Sequence, residues 1–322
     1  MAQIYRHESR DVDDQAQALN DWEQAYEQLG CGRFRGSCWQ MVMDQGVLLR
    51  ESTNRPLAEH IVPPKDHLVI AVPLAVAPGS VFAGRPLERE SLLVLSDREQ
   101  YDLVSAGELD IVGLSVHRDT LAGTLAPSKI EWLEQAGRER NLELTPEVAA
   151  AIRHMLLAVC DGAEREIDSL AQDANESTLL SATLTQAVVL AMRGDRSDMA
   201  SSIPRRADTR LRVVKRAVEF MRANLANDIG VPDICNAACA SRRTLQYCFE
   251  EFMHTTPQAY LRALRLNEAR RALKLRAGQP ITEVATLLGF SSASHFTRHY
   301  KLMFDELPSE TLRVNAGAPF SL

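Results

Sequence analysis

The chain is poor in cysteine, glycine and proline, and it has no long apolar run. Six Cys (31, 38, 160, 235, 239 and 248) among 322 residues are too few for a disulfide scaffold and point to reduced thiols in a cytosol. Sixteen Gly and 14 Pro exclude collagen-like and low-complexity chains. No stretch reaches the roughly 18 apolar residues of a membrane span, so no membrane partner is expected. Met1 to Asp14 is polar and charged, which argues against a signal peptide. Catalytic signatures are missing as well: there is no phosphate loop, Gly-x-Ser-x-Gly, His-Glu-x-x-His or Cys-x-x-Cys. The chain is therefore not expected to be an enzyme or to carry a cofactor. What is present, 45% hydrophobic and 25% charged residues, suits a cytoplasmic globular protein of about two domains.

Charge divides the chain. The net charge is −7, but residues 205–322 hold 18 Lys and Arg against 11 Asp and Glu, a local net of +7. Residues 1–204 then carry −14. A basic C-terminal third is what a surface meeting phosphates requires, whereas two solvated faces with a chance imbalance would need no partner. Between the halves, 193–206 holds Gly194 and Pro204, is polar and lacks apolar periodicity. It reads as a linker between an N-terminal domain, 1–192, and a C-terminal domain, 207–322.

The N-terminal half alternates β-rich runs with turn signals. Strands are expected at Phe34–Met43, Gly46–Glu51, Leu68–Ala75, Ser91–Leu95 and Leu109–His117, close enough together for a small barrel or sandwich. Helical periodicity takes over from Pro127, with amphipathic stretches at Pro146–Gln172 and Asn175–Met192 that could pack on the β-domain or pair with a second subunit. The fold class is thus α+β: a β-rich, barrel-like N-terminal domain with trailing helices, then an all-α domain. His60, His67 and His117 lie on or beside predicted strands, where three imidazoles can hold a metal. Their irregular spacing and the lack of a well-placed carboxylate favour ordinary, partly buried histidines and no metal. Cys31 and Cys38 flank a Gly-rich turn as a redox pair would, though free thiols are the plainer reading. A hollow barrel enclosing a small ligand suits the pattern better than chemistry does.

The C-terminal third contains an internal repeat. Leu245, Phe249, Met253 and Pro257 match Phe296, Tyr300, Phe304 and Pro308 at an offset of 51, and Ile234 and Ala238 match Val284 and Leu288 at an offset of 50. Each copy, about 231–252 and 281–303, reads as a helix-turn-helix. In the first, Pro232 suits a first helical position, Cys239-Ala240 turns, and Ser241 caps Arg242–Phe252. In the second, Gly289 ends Ile281–Leu288, and Ser291 or Ser292 caps Ala293–Met303. Apolar stripes Leu245/Phe249/Phe252 and Phe296/Tyr300/Met303 face inward. The opposite faces carry Arg242, Arg243, Gln246 and Tyr247, and Ser294, His295, Thr297 and Arg298, side chains able to hydrogen-bond base edges or phosphates. A connecting helix Pro257–Arg276 of roughly 30 Å compares with the ~34 Å turn of B-DNA. Cys235 and Cys239, one turn apart, are expected to be buried rather than zinc-bound.

Ser241-Arg-Arg-Thr-Leu-Gln-Tyr-Cys-Phe249, Gly289-Phe-Ser-Ser-Ala-Ser-His-Phe-Thr-Arg298 and Pro308-Ser-Glu-Thr-Leu-Arg313 resemble the AraC/XylS family of transcription regulators over about 100 residues. Trp22-Glu-Gln-Ala-Tyr26 and Gly32-Arg-Phe-Arg-Gly36 more loosely resemble the ethanolamine-operon regulator branch, a match that carries no ligand with it. The resemblance implies a bacterial, sequence-specific DNA-binding regulator with an N-terminal effector-binding or dimerisation domain. It places Arg243, Thr244, Gln246 and Tyr247 in one major-groove segment and Ser294, His295, Thr297 and Arg298 in the next. Arg242 and the cap Ser292 complete the residues assigned to DNA. The implied partners are double-stranded promoter DNA, a second copy in a homodimer, RNA polymerase and a small-molecule effector. Two alternatives stay open for the N-terminal half: an interaction module without a ligand, or a barrel enzyme fused to the DNA-binding domain. The family often has a basic residue where this chain has Tyr247, and usually Gly where it has His254 and Asp305. His and Asp tolerate the left-handed region, so both turns are expected to form with shifted sequence preference.

Overall fold

The computed structural model describes residues 2–139, 142–165, 173–194, 205–275 and 279–316. The chain divides into two compact units. The first comprises Met1–Tyr26, Arg35–Asn54 and Glu59–Ser202; the second comprises Glu27–Phe34, Arg55–Ala58 and Ile203–Leu322. Most of the expected linker, 195–204, lies outside the described residues, as does the end of the helix expected to reach Gln172.

The first unit is built on two sheets. The larger contains β1 (Gln3–Ser9), β3 (Gly36–Met43), β4 (Gly46–Thr53), β6 (His67–Val76), β9 (Ser91–Ser96), β11 (Leu109–His117) and β12 (Leu142–Glu143), in the order β1-β3-β4-β11-β6-β9-β12. The smaller contains β2 (Glu23–Gln28), β5 (Leu57–Val62), β7 (Val81–Phe82), β8 (Arg85–Pro86) and β10 (Tyr101–Ser105), in the order β2-β5-β10-β7-β8. The helices are α1 (Val12–Ala16), α2 (Arg118–Thr124), α3 (Pro127–Glu139), α4 (Pro146–Arg165) and α5 (Asp173–Gly194).

Strand alternation explains the layering. On β6, Leu68, Ile70 and Val72 point one way and Val69 and Ala71 the other; on β9, Leu92 and Val94 oppose Leu93 and Leu95. The first set packs against Ala149, Ile152, Leu156 and Cys160 of α4 and Leu184 and Val188 of α5. The second set joins Phe82, Leu87, Tyr101 and Leu103. Because both faces of β6 and β9 are covered, both read as continuous apolar runs.

The α+β class holds, but the barrel does not. Among the described residues the larger sheet runs from β1 at one edge to β12 at the other, and the edges do not pair. Closure needs a full ladder between the last strand and the first. Here β12 and β8 are two residues long, and Pro86 in β8 has no N–H to donate. The result is two open sheets.

The helices of the second unit are α6 (Arg205–Ala223), α7 (Val231–Ala237), α8 (Arg242–Met253), α9 (Pro257–Leu275), α10 (Ile281–Leu287), α11 (Ala293–Phe304) and α12 (Pro308–Ala316). Phe296, Tyr300, Met303 and Phe304 of α11 pack with Val284 and Ala285 of α10 and Ala263, Leu266, Ala269 and Leu273 of α9. Among the described residues no helix is long and apolar enough to cross a membrane.

Candidate nucleic-acid interface

The two helix-turn-helix copies share their backbone geometry. At the first turn Cys239 has φ +50°, and at the second Gly289 has φ +75°. In each copy the following amide donates back over the turn: Ala240 N to Cys235 O at 3.0 Å and Phe290 N to Ala285 O at 3.0 Å. These bonds satisfy carbonyls that a helix end would otherwise leave open. Ser241 caps α8 by accepting from Thr244 N at 3.1 Å, and Ser292 caps α11 by accepting from His295 N at 3.4 Å. Both helices end on left-handed residues, His254 at φ +50° and Asp305 at φ +55°. The turns therefore form without the usual glycines. Cys239 is exposed and Cys235 half-buried, against the expected burial. The left-handed turn carries Cys239 past the end of α7, where no core residue covers its thiol.

On α8, Leu245, Cys248, Phe249 and Phe252 are buried, while Arg242, Arg243 and Thr244 are exposed. Gln246 is half-buried and donates to Glu250 Oε1 at 2.9 Å. Tyr247 is 54% exposed, with the Arg210 guanidinium 5.7 Å from its ring centre. Arg210 is itself anchored on Glu251 at 2.8 Å. On α11, Ser292, Ser294, His295 and Arg298 are exposed and Thr297 is half-buried. The His295 and His299 rings meet edge to face at 5.2 Å. Partial burial, followed by the charges of Arg262, His295 and Arg298, lowers the His299 pKa. Each helix thus has one apolar face in the core and one polar, cation-bearing face in solvent.

The helix α9 joins the two copies. Its 19 residues span about 28 Å at 1.5 Å per residue. Its interior holds a polar residue that sequence reasoning passed over. Asn267, 2% exposed, donates to Gln28 O at 2.9 Å and Ala263 O at 2.8 Å, and accepts from Gln28 N at 3.2 Å. Gln28 Nε2 reaches the end of α11, donating to Met303 O at 2.8 Å. Gly32 N adds a bond to the same carbonyl at 3.0 Å, and Arg271 pairs with Glu27 at 3.1 Å. The 27–34 segment thereby clips α9 to the C-terminal end of α11. An Asn among apolar residues on a helix was the available signal, because a buried amide must find partners.

Residues 234–313 match the family model described as a helix-turn-helix domain. The chain is 32% identical over 102 residues to the HTH-type transcriptional regulator ArgR of Pseudomonas aeruginosa, covering 32% of this chain and 31% of that protein. It is 36% identical over 101 residues to the XylDLEGF operon transcriptional activator of Pseudomonas putida, covering 31% and 32%. A solved transcriptional regulator of Chromobacterium violaceum, described by its AraC-type DNA-binding domain, is 32% identical with a TM-score of 0.32, covering 34% of this chain and 97% of that one. Residues 234–313 form an AraC/XylS-family DNA-binding domain. The chain spans about a third of the length of the curated relatives it matches. The AraC/XylS assignment agrees with the repeated turns, caps and polar helix faces described above.

The first unit's sequence candidates are only partly gathered. His67 and His117 face each other across β6 and β11, their rings 5.3 Å apart. His60 sits on the other sheet, with Nδ1 3.1 Å from Asp102. Cys31 is exposed and Cys38 buried, and both are free thiols. Burial raises the pKa of Cys38, and the Glu51 charge adds to the effect.

Proposed function

We propose that the protein is a sequence-specific transcription regulator in which one chain reads two successive major-groove segments. The observation that supports this most strongly is the duplicated helix-turn-helix, with matching left-handed turns at Cys239 and Gly289 and a solvent-facing polar surface on α8 and α11. In this reading Arg242, Arg243, Thr244, Gln246 and Tyr247 enter one groove segment. Ser292, Ser294, His295, Thr297 and Arg298 enter the next. Arg243 and Arg298 are suited to guanine O6 and N7 or to phosphate. Gln246 exchanges its bond to Glu250 for a base edge, and Tyr247 takes the place of a cation. The net +7 of residues 205–322 attracts the backbone and makes binding salt-dependent.

The protein acts as a cytoplasmic homodimer on promoter DNA, engages RNA polymerase and performs no covalent chemistry. The first unit supplies control through a small ligand; its apolar cavity between the two sheets, bounded by residues such as Val69, Phe82 and Leu103, suits that role. Selection of bound fragments from genomic DNA by the purified full chain tests the proposal. A recovered motif with two conserved blocks about one helical turn apart for each bound chain is expected. Recovery of random fragments, or of a single block, would overturn it.

A further inference from the structure

A cleft of about 290 Å³ lies between the two helix-turn-helix copies. To its lining α7 contributes Val231 and Ile234, α9 contributes Arg262 and Arg265, and α11 contributes His295 and His299. Among the described residues that line it, every ionisable group is basic and none is a carboxylate.

Arg265 is already committed. It donates to Leu225 O at 3.2 Å and Asn227 O at 2.7 Å, carbonyls of the loop between α6 and α7, and Asp228 supplies a nearby negative charge. Arg262 differs. It is exposed and makes no hydrogen bond or ion pair among the described residues. The His295 and His299 side chains make none either, and meet each other edge to face. Partial burial and the charges of Arg262, His295 and Arg298 together depress the His299 pKa. Basic groups gathered without a counter-charge repel one another, and an anion placed among them relieves that repulsion.

The cleft also has a defined place relative to DNA. His295 lies on the face of α11 assigned to a groove segment, and His299 follows one turn later, about 6 Å along the helix axis. That carries His299 back from the base edges to the level of the strand bordering the groove. Val231 opens α7 of the first copy, so the cleft sits where the backbone between two successive groove segments must pass.

We infer that this cleft seats a phosphate of the DNA strand running between the two groove segments, with Arg262 as its main donor and His299 as its second. The inference rests on the two-segment reading above and adds contacts that carry no sequence information, since phosphate contacts set register and orientation while bases specify. A guanidinium fork matches phosphate oxygens. A metal ion or an ammonium would instead meet the charges of Arg262 and Arg298 and find no carboxylate.

The test measures binding of the full chain to its selected operator and to a random duplex of equal length, by anisotropy over a range of salt concentrations. Arg262→Ala should weaken both duplexes alike, about tenfold at low salt, and lower the slope of log K against log salt by about one. Arg262→Lys, which keeps the charge, should restore the slope. Arg98→Ala, at an exposed arginine of the first unit, should change neither. Ethylating single operator phosphates locates the contact: modification at one or two positions between the blocks should impair the parent and leave Arg262→Ala indifferent. An unchanged slope, or a loss confined to the operator, would overturn the inference while leaving the regulator reading standing. Arg262-dependent binding of pyrophosphate in calorimetry, with the DNA slope unchanged, would overturn it in favour of a free phosphate ligand. A parent chain that binds neither duplex would overturn the regulator reading and this inference with it.

Discussion

The substitution Gly289→Ala tests whether the second helix-turn-helix depends on its left-handed turn. At φ +75° a Cβ is strained, and it would also lie 2.9 Å from Cζ and Nη1 of Arg265. A left-handed L-residue costs about 1–2 kcal/mol, of which roughly 0.4–1 kcal/mol is returned by the stiffer unfolded chain. Arg265 can swing aside, but it then gives up its bonds to Leu225 O at 3.2 Å and Asn227 O at 2.7 Å. For a half-buried guanidinium that loss is about 1 kcal/mol. The sum is about 2 kcal/mol, or roughly thirtyfold in the local opening constant. Hydrogen exchange by mass spectrometry on the full chain reads this directly. Amides of α10 and α11 should exchange about thirtyfold faster while those of α8 keep their protection. Cys239→Gly is the reciprocal change, because Cys239 already occupies the equivalent turn at φ +50°. It should slow opening of α7 and α8. Unchanged protection in both variants would refute the claim that these turns limit local stability.

Three further outcomes are expected. Arg243→Ala and Arg298→Ala should each weaken specific binding by about 1–3 kcal/mol if the guanidinium reads a base bidentately; a gel-shift series with unchanged affinity on the selected site would remove that role. Asn267→Ala breaks three bonds and leaves the Gln28 amide and carbonyl unpaired. It should cost about 2–3 kcal/mol in urea unfolding followed by circular dichroism, and a loss below 0.5 kcal/mol, the ordinary surface range, would contradict the clip. Burial, with the charge of the neighbouring Glu51, raises the pKa of Glu59, so the folded state holds its proton more tightly than the unfolded chain does. Its contribution is then complete below the unfolded carboxylate range and fades as pH rises through the folded value. Glu59→Gln should flatten that decline and melt higher than the parent at pH 8. Tryptophan fluorescence reports it, since Trp22, Trp39 and Trp132 all lie in the first unit; parallel pH profiles would contradict it.

The sequence was most legible where periodicity and caps coincide. Ser241, Gly289 and the four-residue steps of Leu245 and Phe296 located α8 and α11 to within a residue at each end. The five strands expected from β-rich runs correspond to β3, β4, β6, β9 and β11, whose central members are buried on both faces. Edge strands were missed. β1 reads QIYRHES and is largely exposed, so its ladder to β3 leaves no hydrophobic signature. Sheet closure could not be read either, because it depends on which edges meet and not on any strand's own pattern. The 27–34 clip was hidden for a related reason: Gln28 and Asn267 are 239 residues apart, and their bonds are local to neither. Arg262 carries no motif, and its place beside His299 emerges only when α9 and α11 are seen together.

Footprinting of the full chain on a selected operator, at two salt concentrations, tests the central claim most directly. Two protected stretches centred about one helical turn apart, both fading as salt rises, are predicted for each bound chain, since one chain reads two groove segments. Arg243→Ala should weaken one stretch and Arg298→Ala the other. A single protected stretch that both variants weaken alike would contradict the account.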